Sequence, residues 1–420
     1  MILLIDVHAM YVSSEAVFNP ILRTSPAVVL SNGDGIVVAA NRQAKAAGVQ
    51  KFKPAFQQTD LLGKSVACYS SNYELYAQMS TRLFQCLQST GLLAQLHAYS
   101  IDECFAALPT HFQWDDDDLL DVARQIRRTA WDETRLPCGV GIGRTFTLAK
   151  VASYLGKNGE NYRGICVMST GSEDTLLQKV PVSEVWMVGK ATAATLQRHG
   201  VKTAWELKHF STDQAKALHG INLVRTIQEL RGEPVYTFDS FPDVATRQEV
   251  TSSLSLTRRA TSKQALHQAL SQRIAVAAEK LRNLTFTAST LVLYANSNQH
   301  HGGYRSFQKT HRFGYGIDDT RVFITALSQH IDALFEENVE YYKVGCRLIG
   351  LEPRHHQQVD MFAPQQNSDL MAVMDGLNKK FGHHVLTVGA QKVASEAAMI
   401  QSHLSPCYLT RWSDIPTISC

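Results

Sequence analysis

Residues 99–108, YSIDECFAAL, carry two consecutive carboxylates, Asp102 and Glu103, inside an apolar, strand-like stretch. Side chains alternate faces along a strand, so one of the two acids is directed inward, where an unpaired charge is costly. Two arrangements relieve that cost. The strand can end in a hairpin with both acids at a solvated turn, or a hard divalent cation, which takes oxygen ligands, can draw the carboxylates together. The second arrangement calls for a third acid. Asp6 meets the requirement, because LLIDVHAMY places it at the end of the first apolar strand, 96 residues before Asp102. A neighbouring strand would bring all three together. Three carboxylates and a backbone carbonyl, that of Val7, suit two Mg²⁺ ions bridged by a substrate triphosphate. One ion would activate an attacking hydroxyl and the other would stabilise the departing pyrophosphate.

The elements that must position these acids follow from local pattern. Residues 2–7 predict a strand, followed by a loop and helix and a second strand at 27–30; SNGDG at 31–35 turns the chain into the strand IVVAA. The helix NRQAKAAG follows, with Gly48 as its C-cap. A helical pattern spans 73–90, with strands on either side of Ile101. The acidic run Asp115 to Asp118 is suited to the N-terminus of the helix LLDVARQIRRTAW, where the helix dipole favours negative charge. CGVGIGRTFTLAKVASYLGK predicts a short strand, a turn and a helix. Mixed strands and helices up to about residue 165 predict an α/β core.

Composition shifts near Thr170. Residues 181–210 predict two short helices flanking a turn at Val188 and Gly189, with Gly200 opening another turn. Turn amides and a helix N-terminus in such a helix-hairpin-helix can hold a backbone phosphate, although an ordinary helical hairpin fits the pattern as well. The two prolines of RGEPVYTFDSFPD, residues 231–243, predict a linker. Residues 244–350 then follow the order β-α-β-β-α-β of a small split βαβ domain. That stretch holds 13 Lys plus Arg against 8 Asp plus Glu, which fits either a phosphate-tracking surface or a solvated basic face.

A chain of 420 residues exceeds one compact core and predicts two to four domains. With 45% hydrophobic and 19% charged residues it is an ordinary soluble globular chain. MILLIDV lacks a basic n-region, and no later apolar stretch is long enough to span a bilayer. The eight cysteines are scattered without CxxC spacing, which predicts reduced thiols in a cytosol and argues against zinc. A net charge of +3 is too small to assign nucleic-acid binding by itself.

The segments DVHAMYVSSE (6–15), VVLSNGDGIVVAANRQAKAAGV (28–49), SSNYELYAQMS (70–80), YSIDE (99–103) and VGIGRTFTLAK (140–150), in this order, resemble the Y-family translesion DNA polymerases. Similarity extends to VMDGLNKKFG (373–382) and LSPCYLTRWSD (404–414). The resemblance implies an α/β (α+β multidomain) right hand: palm at 1–10 and 75–165, fingers at 11–74, a helical thumb at 166–235, a β-α-β-β-α-β little finger at 244–350, and a clamp- and partner-binding tail at 351–420. It makes Asp6, Asp102 and Glu103 the catalytic metal ligands with the Val7 carbonyl. Tyr11 falls at the steric gate, the ring beneath the incoming sugar; on residues alone it fits a packed tyrosine equally well. Lys45, one helical turn after Asn41, falls at the fingers position that grips the triphosphate, and Lys157 at the matching palm position; otherwise both are solvated surface charges.

The implied activity is that of an error-prone DNA-directed DNA polymerase, which adds deoxynucleotides to a primer opposite damaged bases in the SOS response. Its implied partners are primer–template DNA, deoxynucleoside triphosphates, a UmuD′-like dimer, a RecA filament and a sliding clamp, in the cytoplasm and with no membrane. QVDMF at 358–362 resembles a clamp-binding peptide, with Met361 and Phe362 entering an apolar pocket and Gln358 bonding its rim; the same residues could instead cover the little finger. Some positions depart from the family pattern. His8 and Met10 replace polar and aromatic residues beside the first strand, Met187 takes a glycine position in the thumb turn, and Leu254 and Leu256 stand where Arg and Phe are more usual. Two rival functions are a nucleotidyl cyclase and a catalytically weak regulatory factor that binds DNA and the clamp. Primer extension with Mg²⁺ separates the three.

Overall fold

The apolar hexapeptide Ile2–Val7 (β1) forms the centre of a sheet because neighbours cover both of its edges. The computed structural model that shows this describes residues 1–159, 161–241, 247–299, 303–356, 366–381, 385–391, 401–409 and 411–415. The chain divides into two units, Met1–Phe241 with Gln401–Cys420, and Pro242–Ile400.

In the first unit, β1 leads into helix α1 (Met10–Phe18), strands β2 (Ala27–Leu30) and β3 (Val37–Ala40), and the short helix α2 (Arg42–Ala46). Strand β4 (Ala67–Ser70), helix α3 (Tyr73–Ser89), strands β5 (Gln95–Ala98) and β6 (Glu103–Ala107), and helix α4 (Asp116–Thr134) follow. Next come β7 (Cys138–Gly143), α5 (Phe146–Asn158) and β8 (Ile165–Val167). A helical stretch closes the unit: α6 (Glu173–Leu177), α7 (Lys190–Arg198), α8 (Ala204–His209), α9 (Thr212–His219) and α10 (Ile221–Leu230). The larger sheet runs β5-β6-β1-β7-β8 and the smaller β3-β2-β4. The acidic run starts α4 as expected: Asp115 is its N-cap and forms a reciprocal capping box with Asp118.

Alternation along β1 sorts the two faces of the larger sheet. Leu3, Ile5 and Val7 join Cys104 and Ala106 in a core with α3 and α4, including Leu83 and Ile126. Leu4 and Phe105 face the other way and meet Phe146 and Ala149 of α5. Helix α5 sits close to β7 because of two glycines. A Cβ on Gly141 would lie 2.1 Å from the Ser153 amide nitrogen, and one on Gly143 would lie 2.7 Å from that of Ala149.

Two expectations for the helical region need correction. Before the turn at Val188 and Gly189 there is only one 3₁₀ turn, Val182–Glu184, because Trp186 leaves the helical path to join the Phe105, Phe146 and Phe241 cluster. The stretch predicted as a linker is also packed as far as Phe241. Tyr236, Phe238 and Phe241 lie against Leu4, Phe105 and Phe146, since burying three aromatic rings removes much apolar area from water.

The second unit holds β9 (Glu249–Ala260), α11 (Lys263–Asn283), β10 (Phe286–Ser297), β11 (Ser306–Ile317), α12 (Thr320–Leu334) and β12 (Tyr341–Pro353), the expected β-α-β-β-α-β order. Its sheet runs β11-β10-β12-β9. Leu266, Ile274, Phe323 and Leu327 of the two helices pack on Leu291, Leu293, Val344 and Leu348. Leu254 and Leu256 belong to this apolar face, which explains why neither position carries a charge here. Helix α13 (Ser368–Phe381) is tied to α11 by Asp375, whose two oxygens accept from Arg282 at 2.6 and 2.7 Å. Among the described residues, no helix is long and apolar enough to cross a membrane.

Candidate active site

Asp6 is the penultimate residue of β1 and Glu103 begins β6, and the two are direct register partners in the antiparallel pair. Asp102 adjoins them, its carbonyl accepting from the Val7 amide at 2.8 Å. The strand pairing thus brings Asp6 beside the adjacent acids Asp102 and Glu103. It also answers the alternation problem. Asp6 shares its face with Leu4 and Glu103 shares its face with Phe105, so both point towards α5 and away from the α3–α4 core.

Helix α5 meets them with two lysines seven residues apart, on one helical face. Lys157 Nζ lies 2.8 Å from Asp6 Oδ1, and Lys150 Nζ lies 2.8 Å from Glu103 Oε2. Lys150 also stands over the ring of Tyr99, 4.6 Å from its centroid. Asp102 is held differently, accepting from the Ser100 hydroxyl. Burial raises the Glu103 carboxyl above the ordinary glutamate range, Lys150 pulls it back, and the nearby charges of Asp6 and Asp102 push it up again.

These all-oxygen donors fit a hard divalent cation, whose charge would relieve their mutual repulsion. Among the described residues, no three Asp, Glu, His or Cys side chains are gathered in one metal-gripping cluster. Each acid instead leans on its own lysine or serine.

A cationic group stands beside the acids. His8 is pushed down to about 4, first by burial and then by Lys157, Arg127 and Lys45. Partial desolvation lowers the Lys51 ammonium, and Lys45 and Lys157 lower it further while Asp102 and Asp6 oppose them. Lys45 is exposed in the last turn of α2, whereas Asn41 does not share its surface. Asn41 is buried, caps α2 through the Ala44 amide at 2.8 Å, and donates to the carbonyls of Leu22 and Ser25. Met10 is buried in the core.

Tyr11 lies half-buried in the first turn of α1. Its ring stacks on Tyr76 at 4.7 Å and 13° and meets the edge of Tyr73 at 5.6 Å. Burial raises its hydroxyl, and Tyr73 and then Asp102 add to the effect. Met187 has φ 67°, the left-handed conformation that favours glycine. Gln358, Met361 and Phe362 lie outside the described residues.

Sequence reasoning missed Lys150 and Lys51. The seven-residue spacing of Lys150 and Lys157 was a signal for the first, whereas only the fold of the loop after α2 brings Lys51 near the acids.

Comparison with known proteins finds relatives along nearly the whole chain. The impB/mucB/samB family model matches residues 5–154, and the model of that family's C-terminal domain matches 247–361. Protein UmuC of Salmonella typhimurium is 35% identical over 437 residues, covering 99% of each chain. The chain belongs to the impB/mucB/samB family. Protein MucB of Escherichia coli resembles this family member at 34% identity over 427 residues, 99% of each chain. A DNA polymerase IV of Corynebacterium diphtheriae is 29% identical over 54% of this chain and 49% of its own length. A domain of unknown function matches residues 368–418 of this impB/mucB/samB chain. Among solved structures, a Y-family DNA polymerase chimera of Dbh and Dpo4 matches with TM-score 0.69 at 16% identity, covering 83% of this chain and 98% of its own. The insertion ternary complex of Dbh DNA polymerase matches at 0.54 over the same shares, also at 16% identity. The fold is the right-hand fold of the Y-family.

Proposed function

We infer that this chain copies DNA across damaged template bases: it is a Y-family translesion DNA polymerase, as its family and fold indicate. The observation that carries the assignment of the active site is the register pair of Asp6 and Glu103, with Asp102 adjoining and two lysines of one helix facing them. The carboxylates of Asp6, Asp102 and Glu103, with the Val7 carbonyl, are the residues that would hold two Mg²⁺ ions. When bound, these ions supply charge that activates the primer 3′-hydroxyl and neutralises the departing pyrophosphate.

The chain's own residues position the reactants. Lys157 exchanges Asp6 for a phosphate oxygen of the deoxynucleoside triphosphate, and Lys45 grips the same group from the fingers with Lys51 nearby. Lys150 pairs with Glu103 and offsets part of the cost of its burial. Tyr11 lies under the sugar, where its ring leaves no room for a 2′-hydroxyl. The primer 3′-hydroxyl attacks the α-phosphate in line and pyrophosphate leaves, with orientation and electrostatics lowering the barrier. In the hand, the palm comprises 1–10 and 75–165, the fingers 11–74, the thumb 166–235, the little finger 244–350 and the partner-binding tail 351–420. The test is primer extension on a lesion-bearing template with Mg²⁺, with and without accessory proteins. Extended DNA is the expected product, and no extension under either condition overturns the assignment.

The partners we assign are primer–template DNA, a UmuD′-like dimer, a RecA filament and a sliding clamp, in the cytoplasm during the SOS response. Family membership supports them, and the pattern of Gln358, Met361 and Phe362 supports the clamp. A clamp tether raises the local concentration of a weakly processive enzyme at the primer end. Replacing Met361 and Phe362 with Ala should abolish clamp-stimulated synthesis while clamp-free extension persists. Undiminished stimulation in the double variant removes the peptide from the clamp.

A further inference from the structure

Residues 401–409 belong to the first unit and join a buried polar network behind Tyr11. The Ser70 amide donates to the His403 carbonyl at 2.9 Å, the His403 amide to the Ser70 hydroxyl at 3.0 Å, and the Gln401 side chain to the Ser71 carbonyl at 3.0 Å. Tyr408 stacks on Phe18 of α1 at 4.4 Å and 11°. Between these anchors, the Ser405 hydroxyl donates to Glu15 Oε1 at 2.9 Å. The Tyr76 hydroxyl donates to the same oxygen at 2.8 Å. Asn72 caps α3, the helix of Tyr73 and Tyr76, and its amide donates to the Ser405 hydroxyl at 3.0 Å. Ser405, Glu15, Asn72 and Tyr76 are each at most 5% exposed.

We propose that Ser405 is a positioning residue for sugar selection: through Glu15 and Asn72 it fixes Tyr76 and the start of α3, and through the stacked Tyr76 ring it fixes Tyr11. A buried carboxylate oxygen that loses one of its two donors is left under-satisfied and shifts to recover. Glu15 then moves the Tyr76 hydroxyl, and the Tyr76 ring is the surface on which Tyr11 rests. Both contacts of Ser405 bear on the aromatic platform and neither reaches the metal carboxylates. The effect therefore falls on the choice of sugar and leaves bond formation alone. The domain matched at 368–418 thereby acquires a task inside the polymerase core.

The proposal rests on Tyr11 being the gate, and the experiment separates the two. Single-nucleotide incorporation by the full chain is measured with a deoxynucleotide and with the matching ribonucleotide, for wild type, Ser405→Ala, Ser405→Thr, Tyr11→Ala and the Ser405→Ala/Tyr11→Ala pair. In Ser405→Ala the ratio of kcat/KM values for the two sugars should fall about three- to tenfold, mostly through more efficient ribonucleotide use. Ser405→Thr, which keeps the hydroxyl, should restore it, and the double variant should lose no more than Tyr11→Ala alone. A purely structural role would lower both nucleotides together, and that outcome overturns the proposal. Wild-type selectivity in Ser405→Ala beside lost selectivity in Tyr11→Ala also overturns it while leaving the gate in place. Unchanged selectivity in Tyr11→Ala removes the gate and the proposal together. If Ser405→Ala does not fold, Ser405→Cys, with a weaker donor of similar size, decides the matter: selectivity below wild type supports the proposal and wild-type selectivity overturns it.

Discussion

Two sheets of this molecule present charge on one face, and they do so in opposite styles. On the five-stranded sheet the charges are few, partly buried and individually partnered: Asp6 with Lys157 and Glu103 with Lys150. On the four-stranded sheet the face turned away from α11 and α12 is broad and exposed. Register aligns Arg312 with Thr290, and Arg347 with Val292 and Thr251; Lys343 lies beside Asn296 and Ser255. Hydroxyls, the Asn296 amide and the apolar Val292 stand beside these cations. Arg347 reaches Glu249 only at 3.9 Å. Close pairing of opposite charges in a half-buried site suits work on one bond at a time, because each carboxylate keeps a defined direction. Loose cations among hydroxyls suit a repeating polyanion, which asks for charge and tolerates sliding.

Breaking the first style should have the largest effect. Asp102→Ala or Glu103→Ala should slow primer extension at least about a hundredfold, because the lost charge acts in the transition state. DNA affinity, measured by equilibrium binding, should stay near wild type. Extension at the wild-type rate by either purified variant would remove these acids from the site. The second style should break more gently. Arg312→Ala with Arg347→Ala should weaken DNA binding and lower the slope of log affinity against log salt by about two. At saturating DNA the incorporation rate should hold. An unchanged salt slope would place the nucleic acid elsewhere. The smallest effect sharpens the contrast from the helical region. Met187→Gly relieves the left-handed strain and should stabilise the first unit by about 1 kcal/mol, less the entropy glycine adds to the unfolded chain. A lower denaturation midpoint in that variant would show that the Met187 side chain packs more than it strains.

Local pattern was enough for much of the molecule. In the second unit, the six elements from β9 to β12 could be drawn in order from residues alone, because their strand-like and helical runs are set apart by local pattern. The run Asp115 to Asp118 declared a helix start, since a cap and a first turn are local matters. The three acids were legible because charge at the ends of apolar strands stands out where packing would choose other residue types.

What the sequence could not supply is which distant segments meet. It determined that two adjacent acids, Asp102 and Glu103, sit at an apolar strand, but the antiparallel pairing of β1 with β6 decided that Asp6 faces Glu103. It contained Lys150, yet the close seat of α5 on Gly141 and Gly143 decided that this lysine neutralises Glu103. Tyr236, Phe238 and Phe241 look like linker aromatics until the apolar face of β1 and β6 is there to cover. Ser405 is an ordinary serine in its own neighbourhood; its bond to Glu15 spans 390 positions. Periodicity and capping express interactions within a few residues of one another and can be read in order. Contacts closed over hundreds of residues depend on the packing of every element between, and only the folded chain decides them.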